Sequence, residues 1–117
     1  MDTRRDYIYI DDLCDVVIRA VDGEGQCGAY HISTGGDYSI REIYDRISTI
    51  MGINKPPVEK KRGPDDTATL LIDPTKTWID FAGWKADTSL EYGLHKAINW
   101  YETHEIGQTY THLRITK

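Results

Sequence analysis

The stretch Tyr7-Ile8-Tyr9-Ile10-Asp11-Asp12-Leu13-Cys14-Asp15-Val16-Val17-Ile18-Arg19-Ala20-Val21 decides the fold class. Its first four residues alternate aromatic and β-branched side chains, which favour a strand. Beyond them the apolar residues fall at Leu13, Val16, Val17, Ala20 and Val21, the spacing of a helix face. Asp11 and Asp12 stand between the two patterns, where carboxylates suit the free N–H groups and positive dipole end of a first turn. Asp22-Gly23 then stops the helix. A strand that runs straight into a helix is the opening of an α/β unit.

The rest of the chain extends the alternation. After the loop Gly23 to Gly28, Ala29-Tyr30-His31-Ile32-Ser33 reads as a second short strand that ends at Thr34-Gly35-Gly36. Ser39 and Glu42 form an S-x-x-E capping box, and Ile40, Ile43, Tyr44, Ile47, Ile50 and Met51 recur at helical spacing as far as Gly52. Lys55-Pro56-Pro57 breaks that pattern, and Val58 to Asp66 reads as an extended segment that runs into a loop. Asp73-Pro74 opens a short helix through Trp78 and Phe81 that stops at Gly83. A second box, Thr88 to Glu91, opens a last helix with Leu90, Leu94, Ala97, Ile98 and Tyr101 on one face. The expected architecture is therefore α/β, with two or three short strands and about four helices. Residues 1–106 form one unit, followed by an irregular tail over 107–117. Two short strands bury too little to be a self-sufficient sheet, so further structure is expected beside them.

Composition narrows the functional classes. Nineteen acidic against fourteen basic side chains leave a net charge of −5, which argues against a sequence-independent grip on nucleic acid. Any phosphate must be met by locally placed arginines. No apolar run approaches the roughly 20 residues of a membrane span, and the charged start Met1 to Tyr9 does not resemble a signal peptide. Cys14 and Cys27 are too few for a disulfide framework, which predicts a reducing, cytoplasmic setting.

Two motifs match by letter and fail by context. Gly23-Glu24-Gly25-Gln26-Cys27-Gly28 fits G-x-G-x-x-G. That turn cradles a pyrophosphate only between a strand and a helix N-terminus, whereas here it follows a helix and precedes a strand. Tyr92-Gly93-Leu94-His95-Lys96 fits Y-x-x-x-K, in which the lysine lowers the phenol pKa, yet it lies on the last amphipathic helix without a hydroxyl partner. The four histidines lack a ligand spacing, and no C-x-x-C, G-x-S-x-G or Walker-type loop is present, so the sequence predicts no catalytic, cofactor-binding or metal-ligating residue.

The segment Arg4-Arg5-Asp6-Tyr7-Ile8-Tyr9-Ile10-Asp11-Asp12-Leu13 resembles the R-D-[YF]-[IV]-[HY]-[IV]-x-D-[LV] signature of the extended short-chain dehydrogenase/reductase family, the NAD(P)-dependent nucleotide-sugar epimerases and dehydratases. Further elements follow in that family's order. Tyr30 to Gly35 is similar to Y-N-[IL]-G-x-G, Ser39 to Glu42 to S-[IV]-x-[ED], and Arg62-Gly63-Pro64-Asp65 to R-x-G-D. Asp73 to Lys76 is similar to D-x-[ST]-K, and Gly83-Trp84 with Ser89-Leu90-Glu91 to G-W-x-P and S-L-E-E-G. His31 stands where asparagine is usual, Ala86 where proline is common, and Gly63-Pro64 reorders the R-x-G-D loop.

The resemblance implies the C-terminal, substrate-binding portion of a Rossmann-type enzyme. Arg5 and Arg62 then pair with the diphosphate of a nucleotide-sugar and Asp65 accepts from a ribose hydroxyl. A guanidinium fork matches phosphate oxygens in pairs and stays charged, which suits that role. Without the resemblance, Arg5 reads as a surface ion pair with Asp6 or Asp11, and Arg62 as a solvated neighbour of Lys60 and Lys61. In the family the glycine-rich turn, the catalytic Y-x-x-x-K and its Ser/Thr partner precede R-D-[YF]. The implied cofactor, NAD or NADP, belongs to the full-length parent, and this chain alone is expected to bind none and to be inactive. The implied partners are a nucleotide-diphosphate sugar, the N-terminal Rossmann portion or a second chain, and a homodimer. Two other readings are a stand-alone nucleotide-binding or oligomer-assembly module, and a small redox enzyme built on the Gly23 loop and Tyr92.

Overall fold

A computed structural model of the chain describes residues 1–61 and 63–104. It contains β1 (Arg4–Arg5), α1 (Ile10–Val21), β2 (Tyr38–Ser39), α2 (Ile40–Met51), β3 (Thr69–Leu70), α3 (Thr75–Asp80) and α4 (Leu90–Thr103). The architecture is α/β, with four helices and a three-stranded sheet among the described residues. The irregular tail expected over 107–117 lies outside the described residues.

Helix boundaries follow local chemistry. In α2 the Ser39 hydroxyl accepts from the Glu42 N–H at 3.1 Å and the Glu42 carboxylate accepts from the Ser39 N–H at 2.8 Å, so the capping box closes in both directions. Those bonds hold the Glu42 carboxyl below the usual range, with the backbone N–H of Ser39 the largest cause. Gly52 ends the helix in the left-handed region at φ 64°, which a side chain would resist. Asp73 accepts from the Thr75 N–H at 2.9 Å and from its hydroxyl at 2.5 Å, which fixes the start of α3 behind Pro74.

Two caps depart from the sequence reading. Ser89, not Thr88, caps α4, accepting from the Tyr92 N–H at 3.3 Å. Thr88 instead donates its hydroxyl to Asp12 at 3.0 Å and its N–H to the same carboxylate at 3.2 Å. Among the described residues no side chain caps the start of α1, and Asp12, expected to cap it, is instead a buried tie between that first turn and the entry to α4.

The strands also lie elsewhere than the residue types suggest. Neither Tyr7–Ile10 nor Ala29–Ser33 is assigned to a strand among the described residues, and helix α1 already begins at Ile10. The apolar side chains of these stretches serve a core: Ile8, Tyr30 and Ile32 pack on Val16, Phe81 and Trp84, with Leu13 and Ala86 alongside. Pairing falls on three two-residue segments elsewhere. Arg4 and Arg5 form the central strand, antiparallel to β2 in the register Arg4–Ser39 and Arg5–Tyr38, and parallel to β3 in the register Arg4–Thr69 and Arg5–Leu70.

The core is small. Tyr30 meets the Phe81 ring edge-on with centroids 5.1 Å apart, and the Trp84 indole N–H donates to Asp15 at 2.7 Å. Buried Thr77 and Ser33 donate to the carbonyls of His31 and Ile72, which staples the 31–33 segment between α3 and the chain after β3. One face of α1 has no cover among the described residues: Ile10, Val17, Ile18 and Val21 are 56%, 53%, 58% and 82% exposed, with Cys14 exposed beside them. The face that carries Cys14 is apolar and turned outward.

Candidate functional site

The two arginines of the central strand have different fates. A strand sends successive side chains to opposite faces. Arg4 is consumed by structure: its Nε donates to Asp37 at 2.5 Å, its Nη2 to the Asp37 carbonyl at 3.0 Å, and Glu42 lies 3.8 Å away. The hydrogen bond to Asp37 is the main reason its pKa is raised. Arg5 turns to the other side. Its Nη1 donates to the Arg4 carbonyl at 2.7 Å, and its Nη2 to the Thr67 carbonyl at 3.0 Å and the Asp66 carboxylate at 3.2 Å. The Arg5 side chain is 26% exposed, so the guanidinium is positioned by backbone on one edge and accessible on the other.

Asp6 and Asp11, the residues a surface pairing would favour, are not the partners of Arg5. Asp6 accepts from the Thr34 N–H at 2.6 Å, from the Gly35 N–H at 3.2 Å and, in a short bond, from the Thr34 hydroxyl. It thereby clasps the Thr34-Gly35-Gly36 loop against the strand that carries Arg5. Gly36 is required there, because an added Cβ would lie 2.8 Å from the Thr34 hydroxyl oxygen and 2.9 Å from the Tyr38 ring.

Asp65 and Asp66 belong to a turn, Gly63-Pro64-Asp65-Asp66, closed by the Asp66 N–H donating to the Gly63 carbonyl at 3.2 Å. Pro64 takes the second position of that turn, which its fixed φ favours. Asp65 is exposed in the turn and makes no ion pair or hydrogen bond among the described residues, while Asp66 returns to face Arg5. Arg62 lies outside the described residues. The structure thus brings Arg5 to the loop that carries Asp65, through its neighbour Asp66, a residue the sequence reading passed over. Next to Asp66 lies a cleft of about 690 Å³ bordered by Lys60, Lys61, Val58 and Ile40, within the size range of small-molecule sites.

No family model matches the chain. Probable UDP-arabinose 4-epimerase 3 of rice is 32% identical over 106 residues, which cover 88% of this chain and 26% of that protein. The crystal structure of UDP-glucose 4-epimerase from Thermotoga maritima with UDP-glucose superposes with a TM-score of 0.80 at 28% identity, covering 86% of this chain and 32% of that one. Over nearly its whole length the chain resembles the extended short-chain dehydrogenase/reductase family in sequence and in fold. Another solved member, Bordetella bronchiseptica WbmG in complex with NAD and UDP, gives a TM-score of 0.79 at 28% identity over 96% of this chain and 35% of its own. Probable GDP-L-fucose synthase 1 of rice is 29% identical over 97 residues. The chain spans roughly a quarter to a third of the length of these relatives.

The remaining motifs have structural roles. The Gly23–Gly28 loop follows α1, and the next helix begins only at Ile40. An added Cβ at Gly25 would sit 2.7 Å from the Phe81 ring, so that glycine admits core packing rather than a phosphate. The Gly23–Gly28 loop therefore does not fit a dinucleotide cradle. Tyr92 and Lys96 form an exposed pair on α4, with the ammonium 5.9 Å from the ring centroid. Among the described residues no group of His, Cys, Asp and Glu side chains could hold a metal ion, and no helix is long and apolar enough to cross a membrane.

Proposed function

We propose that this chain is the substrate-holding portion of an NAD(P)-dependent nucleotide-sugar epimerase or dehydratase, and that it grips the nucleoside diphosphate. The observation that carries the reading is the posture of Arg5. Its guanidinium is held by the Arg4 and Thr67 carbonyls on a central strand, with one edge accessible beside the 63–66 turn. Ordering the fork before the ligand arrives reduces the entropy lost on binding. Arg5 and Arg62 then share the diphosphate, and Asp65, exposed in the turn, accepts from a ribose hydroxyl. Hydride transfer and proton transfer belong to a cofactor-binding portion outside this site. The apolar face of Ile10, Val17, Ile18 and Val21 is the surface on which that portion packs.

Calorimetric titration of the chain with UDP-, GDP-, CDP- and dTDP-sugars tests the reading. Saturable binding of at least one, with no conversion of the sugar when NAD is added, is the expected result. Turnover by the chain alone would contradict it. The same exposed face on α1 favours one second reading, a self-assembling module. A tight dimer that binds none of the four sugars would establish that alternative.

A further inference from the structure

We infer that Asp66 acts as a built-in competitor for the anion at Arg5, so that a nucleoside diphosphate binds by displacing its carboxylate. The inference rests on the substrate-holding reading of Arg5. Asp66 meets Arg5 through one nitrogen only, Nη2 at 3.2 Å, and its side chain is 48% exposed. A single contact leaves the paired-donor geometry of the guanidinium unused, whereas a phosphate can take two parallel N–H donors. An exposed single-contact pair is also weak enough to yield to a ligand.

The geometry allows the exchange without disturbing the arginine. When the carboxylate swings into solvent, Nη1 keeps the Arg4 carbonyl and Nη2 keeps the Thr67 carbonyl. The backbone of the turn is held independently by the Asp66 N–H to Gly63 carbonyl bond, so Asp65 keeps its place. The order Gly63-Pro64 matters here. With proline at the second position, the fourth residue of the closed turn is the one that returns to Arg5, and in this chain that residue is acidic. The carboxylate therefore lowers affinity in two ways, by occupying the fork and by placing a negative charge beside an incoming diphosphate. Neutralising it should raise affinity, which is the opposite of what truncating a ligand-contacting residue does.

The test is titration of the full chain with UDP and with GDP, comparing wild type, Asp66→Asn, Asp66→Ser and Asp45→Asn, with circular dichroism to confirm that each variant is folded. Asp45 is an exposed residue of α2 and carries the same change in net charge away from Arg5. The expected result is a Kd about three- to fivefold lower for both Asp66 variants, the scale of an exposed ion pair, and a Kd unchanged for Asp45→Asn. Binding by the Asp66 variants where wild type shows none would support the inference more strongly. If wild type binds and the Asp66 variants bind equally or more weakly, or if Asp45→Asn gains as much, the inference fails and the substrate-holding reading stands. If no protein in the set binds either nucleotide, the substrate-holding reading itself fails and takes the inference with it.

Discussion

Replacing Asp6 by alanine should unclasp the loop beside the arginine strand, and the structure sets the size of the effect. Three bonds end on this carboxylate: the Thr34 N–H, the Thr34 hydroxyl and the Gly35 N–H. Hydrogen bonds to charged groups contribute about 1.5–3 kcal/mol when sheltered and less where water substitutes. Thr34 is half-buried and Gly35 exposed, so the Thr34 N–H carries the largest share. With the Thr34 N–H counted at about 2 kcal/mol and the hydroxyl and the Gly35 N–H at about 0.5 kcal/mol each, the loss comes to about 3 kcal/mol. At a urea slope of about 1.5 kcal/mol per molar, the unfolding midpoint falls by about 2 M. Asp6→Asn, which keeps one acceptor oxygen, should lose about half as much. Urea melts followed by circular dichroism measure both, and amide exchange at Thr34 and Gly35 should accelerate in Asp6→Ala before global unfolding. Midpoints of wild type and Asp6→Ala within about 0.3 M of each other would refute the clasp, given the same slope.

Other consequences follow from the same contacts. Gly25→Ala should destabilise the fold by about 2 kcal/mol or more, because the new Cβ would overlap the Phe81 ring at a backbone φ of +80°; thermal melts would show it, and Gly23→Ala, whose Cβ meets nothing within 4 Å, should cost less. Acid should weaken the chain. Glu42 is held below its ordinary pKa by Ser39 and Asp73 by Thr75, so their stabilisation is present above the unfolded carboxyl range and is lost as pH falls through the folded values. The thermal midpoint should therefore drop between about pH 5 and pH 3, and Glu42→Gln should flatten that slope; a midpoint that rises on acidification would contradict the capping assignment. Ile18→Lys should leave the melting temperature of the chain nearly unchanged, because the residue is exposed, while abolishing association with a cofactor-binding portion supplied as a second chain. Unimpaired association in a pull-down would remove α1 from that interface.

Sequence revealed most where structure is locally determined. Ser39, Glu42 and Gly52 delimit α2 because a capping box and a left-handed stop involve residues three apart and one glycine. Asp73-Pro74 placed α3 for the same reason. The cap of α4 lies at Ser89 and not at Thr88 because Thr88 is drawn away by Asp12, 76 residues distant in sequence. The strands were misplaced because Tyr7–Ile10 and Ala29–Ser33 look β-like for the sake of a core, whereas ladder bonds fall on Arg4, Arg5, Tyr38, Ser39, Thr69 and Leu70, in segments of two residues that are too short to show an alternating pattern. At the site, Arg5 stood out only through family resemblance, since nothing local separates it from Arg4. Asp66 was invisible for a similar reason: Asp65 and Asp66 are adjacent identical residues, and only the closed turn decides which one faces the guanidinium.

The measurement that bears most directly on the substrate-holding claim is titration of wild type, Arg5→Ala and Arg5→Lys with the tightest of the four nucleotide-sugars. The expected outcome is one site per chain, affinity at least tenfold weaker in Arg5→Ala, and only partial recovery in Arg5→Lys, because a point charge cannot reproduce the fork. Affinity unchanged by Arg5→Ala in a folded chain would contradict the account.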